Sequence, residues 1–429
     1  MPVTLLRKPD FLFYRYNGSN HRVVGGGHMK IYIAAHKSLE LPTQSPYQPL
    51  FVGAEKLGVA ERRPDWEYDD SFIGNISRKN STFCELTGLY WIWKRSREDI
   101  VGLVHYRRFL REPSGARGGG NLLSENTVRE LLNKYDCIVA AHEPVVQGRF
   151  LISLAEQYRL AHSSTDLIQL RKVIGRYFSS YLTAFDSVMF DSAFSPYNIL
   201  VCRKPLLNSY ARWLFAVERK MEVRVDPFTD RDPYQQRVFG FLAERLFNVY
   251  LRKHRLSTYE CSTVDPAAQD EPASDDISAA YIERPNFSIT GLATPIDCGI
   301  DYSDVFDYSF YLNHYPDLAE HYFDNPEASL SHFLAYGIHE GRMAHPHFSI
   351  VSYINGCPLL RQEFSNNHVA YILHYLKHHD AREHATGYEN LYCEGVHSDV
   401  AKPASLLQRH KKRMFKRFLQ EAEREAVLD

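Results

Sequence analysis

The sequence predicts an α/β fold with a mostly parallel sheet over residues 29–260. Short apolar runs at 30–35 (KIYIAA), 100–104 (IVGLV) and 135–141 (YDCIVAA) lack the apolar–polar alternation of a strand with one solvated face. Strands buried on both faces are typical of parallel sheets. Amphipathic helical patterns separate these runs, and alternation of strand and helix is the usual organisation of such sheets.

The other elements of this region follow from local patterns. We predict a second short strand at 51–54, a long polar loop at 61–80, helical segments at 82–97, 124–134, 151–190, 205–222 and 234–254, and a strand at 197–202. Thr82 and Glu85 have the spacing of a capping box, which marks a helix start. Ser124 is a suitable N-cap for the helix that follows it.

Length and composition limit the classes of protein. A chain of 429 residues is long enough for two or three domains. Its net charge of −2 gives no overall reason to expect nucleic acid as a partner. The 7 cysteines form no C-x-x-C pair, so neither a disulfide framework nor a zinc site is indicated. Without a signal peptide or an apolar run near membrane-spanning length, we expect a cytoplasmic protein.

Composition changes divide the chain into five predicted segments. They are an irregular leader (1–28), the α/β domain (29–260), a linker (261–300), a helical duplicated module (301–390) and a basic amphipathic C-terminal helix (391–429). In the module, Phe306, Tyr311, Pro316 and Leu318 recur 42 residues later as Phe348, Tyr353, Pro358 and Leu360. A fixed period indicates a repeated structural unit. The basic helix is either peripheral on an anionic inner-membrane surface or a solvated helix packed on the module.

Polar residues follow two of the predicted strands. His36 and Lys37 follow the first strand, and His105, Tyr106, Arg107 and Arg108 follow the strand at 100–104. Ligands of open α/β sheets bind outside the carboxyl ends of strands. Arginine forks match phosphate oxygens in two-point contacts. This edge therefore predicts a site for an anionic ligand, with salt bridges and packing as the structural alternative for these side chains.

Several motifs resemble one bacterial family. They are N-I-S-x-K-N (75–80), C-E-L-T-G-L-Y-W-x-W-K (84–94), G-L-V-H-Y-R-R-F (102–109), Q-Y-R-L-A-H (157–162), Y-N-I-L-V-C-R-K (197–204) and D-P-Y-Q-x-R-V-F-G-F-L-A-E-R-L-F-N-V-Y-L (232–251). Together they resemble a glycosyltransferase family that is catalogued as domain of unknown function 4422 and occurs in capsule and O-antigen gene clusters. The resemblance covers about residues 30–255.

This resemblance implies a GT-A-like nucleotide-sugar fold and a UDP-sugar donor. Characterised members of the family are galactofuranosyltransferases that use UDP-galactofuranose and form β-1,3 links. The acceptor implied is a glycan or a lipid-linked glycan of a bacterial surface polysaccharide. The duplicated region is similar to modules found beside other polysaccharide glycosyltransferases.

The sequence departs from ordinary GT-A enzymes at the metal motif. They carry D-x-D after the strand where this chain has His105, Tyr106, Arg107 and Arg108. Either the arginines replace the metal at the diphosphate, in a metal-independent mechanism, or other residues hold a cation. Asp230 and Asp232 form a D-x-D that could share Mn²⁺ or Mg²⁺ with a diphosphate. The alternative for this pair is a turn and helix cap, because Asp232 precedes a proline.

Sugar transfer with inversion needs a base for the acceptor hydroxyl. Asp232 is the first candidate and Glu244 the second, with an ion pair to Arg245 as the alternative for Glu244. The predicted nucleotide-sugar contacts are His36, Lys37, Asp70, Asn75, Ser77, Lys79, Asn80, His105, Tyr106, Arg107 and Arg108. The predicted sugar or acceptor contacts are Gln157, His162 and Asn198. Loop hydrogen bonding and helix capping are the alternative for the loop residues, and the capping box accounts for Glu85.

A rival hypothesis is a non-catalytic carbohydrate-binding or scaffold protein of the same pathway. Lack of D-x-D at the usual position favours it. The concentration of polar motifs at 69–109 and 232–245 argues against it, because a scaffold does not need them.

Overall fold

The computed structural model of the protein describes residues 27–113, 122–147, 150–265, 292–322 and 324–378. Most of the predicted leader, most of the linker and the whole segment 391–429 lie outside these residues. The chain forms two compact units, which we describe separately. The first lies within Met1–His142 and Ser195–Glu271, and the second within Glu143–Phe194 and Pro272–Asp429.

The described residues form strands, helices and short turns of other helical types. The strands are β1 (Met29–Ala35), β2 (Tyr47–Phe51), β3 (Glu67–Tyr68), β4 (Ile100–His105), β5 (Phe109–Leu110), β6 (Cys137–Ala140), β7 (Glu143–Pro144), β8 (Val146–Gln147), β9 (Phe150–Leu151), β10 (Ala193–Phe194), β11 (Leu200–Arg203), β12 (Thr258–Cys261), β13 (Thr263–Val264), β14 (Ile296–Asp297) and β15 (Ile300–Asp301).

The helices are α1 (Asn80–Phe83), α2 (Leu86–Arg95), α3 (Glu125–Leu132), α4 (Leu154–Ala161), α5 (Ser164–Tyr177), α6 (Leu182–Phe190), α7 (Lys204–Met221), α8 (Val238–His254), α9 (Tyr308–His314), α10 (Pro316–Tyr322), α11 (Ala328–His332), α12 (Ile350–Gly356), α13 (Pro358–Phe364) and α14 (His368–Lys377). Single 3-10 turns lie at Ala54–Lys56, Val59–Glu61, Ser77–Lys79, Ser179–Tyr181 and Gln235–Arg237.

The first unit is built on one sheet. Within the described residues its seven strands have the order β12-β6-β11-β4-β1-β2-β3. β11 is antiparallel to both of its neighbours, and the other pairs are parallel. Ile33, Val104 and Val201 from three adjacent strands are fully buried in one apolar cluster. The prediction of an α/β domain with a mostly parallel sheet is confirmed.

The predicted helix at 82–97 is interrupted, so this prediction was wrong in its first turn. α1 ends at Phe83, Cys84 takes a left-handed φ of 51°, and α2 begins at Leu86. The capping box does not form, because the Thr82 hydroxyl donates to the Lys79 carbonyl. The Glu85 carboxylate instead receives a hydrogen bond from the distant Asn198 amide, at 2.6 Å. A tertiary contact replaces the local one.

The second strand begins earlier in the chain than predicted. β2 ends at Phe51, and Gly53 turns the chain with a φ of 74° into the 3-10 turn Ala54–Lys56. Pro49 lies within β2, although a proline has no N–H to donate to a strand ladder. Pro49 is accommodated where β2 pairs with β1 but not yet with β3, whose pairing starts at Leu50.

The second unit contains the region of the sequence repeat. α12 and α13 begin and end 42 residues after α9 and α10. One side-chain contact recurs at the same offset. The Tyr311 hydroxyl lies 3.1 Å from His332 Nδ1, and the Tyr353 hydroxyl lies 2.7 Å from His374 Nδ1.

A partly buried charge network joins α4 to the helices after residue 300 within the second unit. The fully buried Glu156 carboxylate accepts hydrogen bonds from the Tyr315 hydroxyl (2.6 Å) and lies 2.9 Å from His314 Nε2. Glu340 is paired with Arg159 at 3.1 Å and with Arg342 at 2.7 Å. Although burial opposes ionisation, these two guanidinium groups hold the pKa of Glu340 at about 2.

Among the residues that the structure describes, no helix is both long and apolar enough to cross a bilayer.

α7 buries one carboxyl group without compensation. Both side-chain oxygens of Glu218 are buried and have no hydrogen-bond partner within the described residues. Burial, with a smaller contribution from the charge of Glu222, raises the pKa of Glu218 well above its usual value of 4.5. The folded chain therefore keeps a proton on Glu218 that the unfolded chain releases.

We expect Glu218→Gln to make folding less dependent on pH. Since the folded-state pKa is raised, Glu218 lowers the free energy of unfolding as pH rises from about 4.5 towards that pKa, by up to about 1.4 kcal/mol per pH unit. The neutral amide removes this loss. Urea unfolding at pH 5.5 and 8.5 should show a larger stability gain for the variant at pH 8.5. Glu130→Gln, on the exposed face of α3, is the matched control. Equal behaviour of the two variants would contradict the assignment.

Candidate active site

The order of the strands makes one edge of the first unit a candidate ligand site. β1 lies between β2 and β4. The chain leaves β1 towards β2 and β3 and then returns to β4 on the other side of β1. Since β1 and β4 are parallel, the residues after them emerge at the same edge. Such a reversal of strand order creates a crevice in which α/β proteins bind their ligands.

A tight turn follows β4 at this edge. The backbone N–H of His105 donates to the Arg108 carbonyl at 3.2 Å, and the N–H of Arg108 donates to the His105 carbonyl at 3.0 Å. The N–H of Tyr106 donates to the Ala34 carbonyl of β1 at 3.2 Å. These bonds fix the positions of the four polar residues 105–108 relative to the end of β1.

The polar residues that follow the two strands lie around the Tyr106 ring. The His36 ring contacts it edge to face with 5.4 Å between centroids. Lys37 Nζ lies 5.6 Å and the Arg107 guanidinium 5.2 Å from the centre of the Tyr106 ring. Four of the residues predicted to bind the nucleotide-sugar therefore lie together.

Several cations lie at this edge of the sheet. Partial burial, followed by the charges of Lys37, Arg237 and Arg107, lowers the pKa of His36. Arg237 immediately precedes α8, a helix of 17 residues whose N-terminus adds positive partial charge. An anion placed here would meet several cations at once.

His105 lies deeper in the same site. Burial, and then the charge of Arg108, lowers the pKa of His105 to about 4, although Glu244 and a hydrogen bond with the Tyr197 backbone act in the opposite direction. The imidazole is therefore neutral near pH 7. Its Nε2 atom is buried and has no hydrogen-bond partner in the described part of the chain. The guanidinium of Arg108 stacks over the Tyr197 ring at 4.1 Å.

Two partly buried carboxyl groups face these cations. Burial raises the pKa of Glu85 and also that of Glu244, and the charge of Glu85 raises the pKa of Glu244 further. Arg237 lowers the pKa of both carboxyl groups, and the Arg245 guanidinium holds one Glu244 oxygen at 2.9 Å. A carboxylate with a raised pKa is a stronger base, and it can accept a proton closer to neutral pH.

Sequence reasoning set Glu85 aside and did not single out Arg237. Both lie inside motifs quoted above, but the capping-box interpretation accounted for Glu85, and no local pattern distinguished Arg237 from the other basic residues. In the structure, Arg237 Nε donates to the Cys84 thiol at 3.1 Å, and its charge acts on His36, His105 and both glutamates. The sequence signal that could have indicated Arg237 and Glu85 was their place within the motifs of the family resemblance.

The five loop residues predicted to bind the nucleotide all bond to the protein itself. The contacts are Asp70 to the Arg62 guanidinium (2.9 Å), Asn75 to the Phe72 carbonyl (2.7 Å), Ser77 to the Asp69 carboxylate (2.6 Å), Lys79 to the Glu222 carboxylate, and Asn80 to the Cys84 carbonyl (2.8 Å). Such contacts are expected if these side chains serve loop hydrogen bonding and helix capping, which is the alternative given above. A nucleotide role for this loop remains a prediction.

The D-x-D pair lies in an exposed turn. One Asp232 oxygen accepts the backbone N–H groups of Tyr234 at 2.7 Å and Gln235 at 2.9 Å, as a helix cap does. Asp230 has a left-handed φ of 55°. Within the described ranges, no three His, Cys, Asp or Glu side chains gather as metal ligands. Binding of Mn²⁺ or Mg²⁺ by this pair remains a prediction.

The three predicted sugar or acceptor residues divide between the two units. Asn198 is buried in the first unit, against Glu85. Gln157 lies on α4 and His162 at its end, both in the second unit. The buried His162 ring is 4.8 Å from the Tyr158 ring.

The fold is that of an α/β domain, and this edge is its candidate site for an anionic ligand. The family described as domain of unknown function (DUF4422) matches residues 30–255, more than half of the chain, and the protein therefore belongs to this family. Among solved structures, the chain is similar to the apo structure of the WbbM bifunctional glycosyltransferase, with 24% identity and a TM-score of 0.49. The similarity covers 58% of this chain and 48% of that one. Comparison with curated proteins finds no significant match.

We expect Arg237→Ala to raise the pKa of both His36 and His105. The charge of Arg237 disfavours the imidazolium form of each ring, so its removal makes protonation easier. NMR titration of the histidine ring protons measures this directly. Arg252→Ala, on the exposed face of the last turn of α8, is the control and should leave both values unchanged. Unaltered titration of His36 in Arg237→Ala would show that the cations do not act on this edge.

Proposed function

We propose that the protein is a glycosyltransferase that moves a sugar from a UDP-sugar to a glycan hydroxyl during assembly of a bacterial surface polysaccharide. One observation carries the proposal. At the switch point between β1 and β4, a group of cations lies beside two carboxyl groups with raised pKa values. Family membership and the motif resemblance support it, and they make galactofuranose our leading choice of sugar and a GT-A-like arrangement our leading choice of fold.

Cations at this edge suit a nucleoside diphosphate. Lys37 and Arg107 lie near the Tyr106 ring, and Arg108 lies over the Tyr197 ring, so aromatic rings support all three cations. Guanidinium groups bind phosphate oxygens in two-point contacts. As the bond to the sugar breaks, negative charge grows on the departing UDP, and cations already held in place stabilise it.

Glu244 is our candidate for the base. Its side chain is 20% exposed, and the charges of Arg245, Glu85 and Arg237 act on its carboxyl group. The Asp232 carboxylate is exposed and already accepts two backbone N–H groups. The surroundings of Glu244 therefore fit the requirement for a base with a raised pKa better than those of Asp232.

In the proposed reaction, the acceptor oxygen attacks the anomeric carbon while the bond between that carbon and the UDP oxygen breaks. The hydroxyl proton passes to Glu244, and the bonding electron pair leaves with UDP. Attack opposite the leaving group inverts the anomeric centre. The neutral His105 ring offers Nε2 as a hydrogen-bond acceptor without adding charge.

The proposal includes two alternative sources of positive charge at the diphosphate. Arg107, Arg108 and Arg237 could act in a metal-independent mechanism, or Asp230 and Asp232 could hold Mn²⁺ or Mg²⁺. A lipid-linked acceptor would place the reaction at a membrane, with the basic segment 391–429 as the proposed contact to anionic lipid.

UDP should stabilise the protein against heat, because a ligand of the native state raises stability by mass action. We expect the shift in melting temperature to survive EDTA if the arginines bind the diphosphate, and to need Mn²⁺ if the aspartates bind it through a metal. Arg108→Ala should reduce the shift, and Arg252→Ala should not. No shift with or without metal would favour the carbohydrate-binding or scaffold alternative.

Glu244→Gln should lower kcat by about 100-fold to 10,000-fold, the usual contribution of a general base. The amide keeps the shape but cannot take a proton. Wild-type activity should appear as pH rises through the pKa of Glu244, which burial places above 4.5. Transfer to a glycan acceptor is measured as UDP release, with Glu130→Gln as control. If Asp232→Asn shows this loss and Glu244→Gln does not, the base is Asp232.

A further inference from the structure

Three non-glycine residues near Glu85 and its partner Asn198 have positive φ angles. Cys84 has a φ of 51° and a ψ of −131°, and it immediately precedes Glu85 in the chain. Tyr197 and Asn198 have φ values of 70° and 53° and lie just before β11, which begins at Leu200. Such torsion angles are unfavourable for residues with a Cβ atom, and they persist where the surrounding contacts enforce them.

The backbone geometry at Cys84 allows the Glu85 side chain to bond to Asn198. The side-chain amide of Asn80 and the hydroxyl of Thr87 both donate to the Cys84 carbonyl, at 2.8 and 3.2 Å. These two hydrogen bonds stabilise the break between α1 and α2. This break releases Glu85 from a helix interior. Its Oε1 atom then receives the Asn198 Nδ2 hydrogen bond at 2.6 Å.

The segment 197–198 contacts three groups of the candidate site. The Tyr197 ring supports Arg108, the Tyr197 backbone bonds to His105, and the Asn198 amide bonds to Glu85. A glycine would adopt the left-handed conformation at lower cost, so the conformation alone does not account for asparagine at 198. Its amide group supplies what glycine lacks, an uncharged donor to a carboxylate.

The charges near Glu85 indicate which part of a ligand it can meet. Arg237 and Arg108 both act on Glu85, so the carboxylate lies beside the cations assigned above to the diphosphate. An ionised carboxylate repels phosphate and only accepts hydrogen bonds. The complementary part of a nucleotide-sugar is the sugar itself, whose hydroxyl groups donate.

We propose that Asn198 is a positioning residue that orients the Glu85 carboxylate to accept a hydrogen bond from a hydroxyl of the donor sugar. The inference rests on the proposed function and deepens it. Asn198 does not touch the substrate, and Glu85 does. UDP without its sugar makes no contact with Glu85, so the pair affects binding of the UDP-sugar and not binding of UDP.

The experiment compares affinity for UDP with affinity for UDP-sugars by calorimetry. The probes are UDP and a panel of UDP-galactofuranose, UDP-galactose, UDP-glucose and UDP-N-acetylglucosamine, from which the tightest ligand is used. Asn198→Gly keeps the left-handed backbone and removes the amide. Arg255→Gly, at another left-handed residue (φ 52°) after α8, is the matched control.

Asn198→Gly should bind UDP as the wild type does and bind the UDP-sugar about 10-fold to 100-fold more weakly, as expected for a lost hydrogen bond to a charged group. Glu85→Gln should show the same pattern. The double variant Glu85→Gln with Asn198→Asp restores a hydrogen bond between the two positions with donor and acceptor exchanged. It should restore thermal stability, and it should restore affinity for the UDP-sugar only in part, because the amide oxygen left at position 85 is a weaker hydrogen-bond acceptor than a carboxylate.

Unchanged UDP-sugar affinity in Asn198→Gly would overturn the inference and leave a structural hydrogen bond. Equal loss of UDP and UDP-sugar binding would also contradict it, because the whole edge would then have been disturbed. If the wild type binds every UDP-sugar no more tightly than UDP, the inference fails, but the proposed nucleotide site is unaffected. If the wild type binds no nucleotide, the proposed function itself fails.

Discussion

The parallel pairing of β1 with β4 is the constraint on which the candidate site depends. Its register runs from Met29 opposite Ile100 to Ala34 opposite His105, so the two strands end together. Apart from Lys30 at the start of β1, both strands are apolar and buried, and polar residues follow where the chain leaves the sheet. A shift in this pairing would separate His36 and Lys37 from the turn at 105–108. The site is therefore a consequence of sheet register before it is a matter of individual side chains.

Partly buried charges of both signs then stabilise one another at that edge. Burial alone would favour the neutral forms of Glu85 and Glu244, and the arginines oppose this effect on both groups. In the same way, carboxyl groups limit the repulsion among Arg108, Arg237 and the neighbouring imidazoles. The second unit uses the same principle differently. There Glu340, Arg159 and Arg342 satisfy one another in ion pairs, which fits a role in holding α4 to the later helices.

Patterns of short range predicted the elements well where the local signal and the tertiary environment agree. β1, β4 and α3 lie where periodicity and the Ser124 cap place them. The prediction failed at Thr82 and Glu85, where two interactions competed. A capping box contributes about 1 kcal/mol, and the hydrogen bond from Asn198, 113 residues away, involves a charged acceptor in a partly buried place. No window of local sequence contains both partners.

The sequence by itself determined the class of fold, the family, and the polar residues that end β1 and β4. These depend on hydrophobic periodicity and on motifs, which are properties of neighbouring residues. Only the tertiary structure decided that Arg237 and Glu85 join the candidate site, that an oxygen of Asp232 caps a turn, and that Glu244 acts electrostatically on His105. Electrostatic interactions act through space, so partners far apart in the chain become visible only when the fold brings them together.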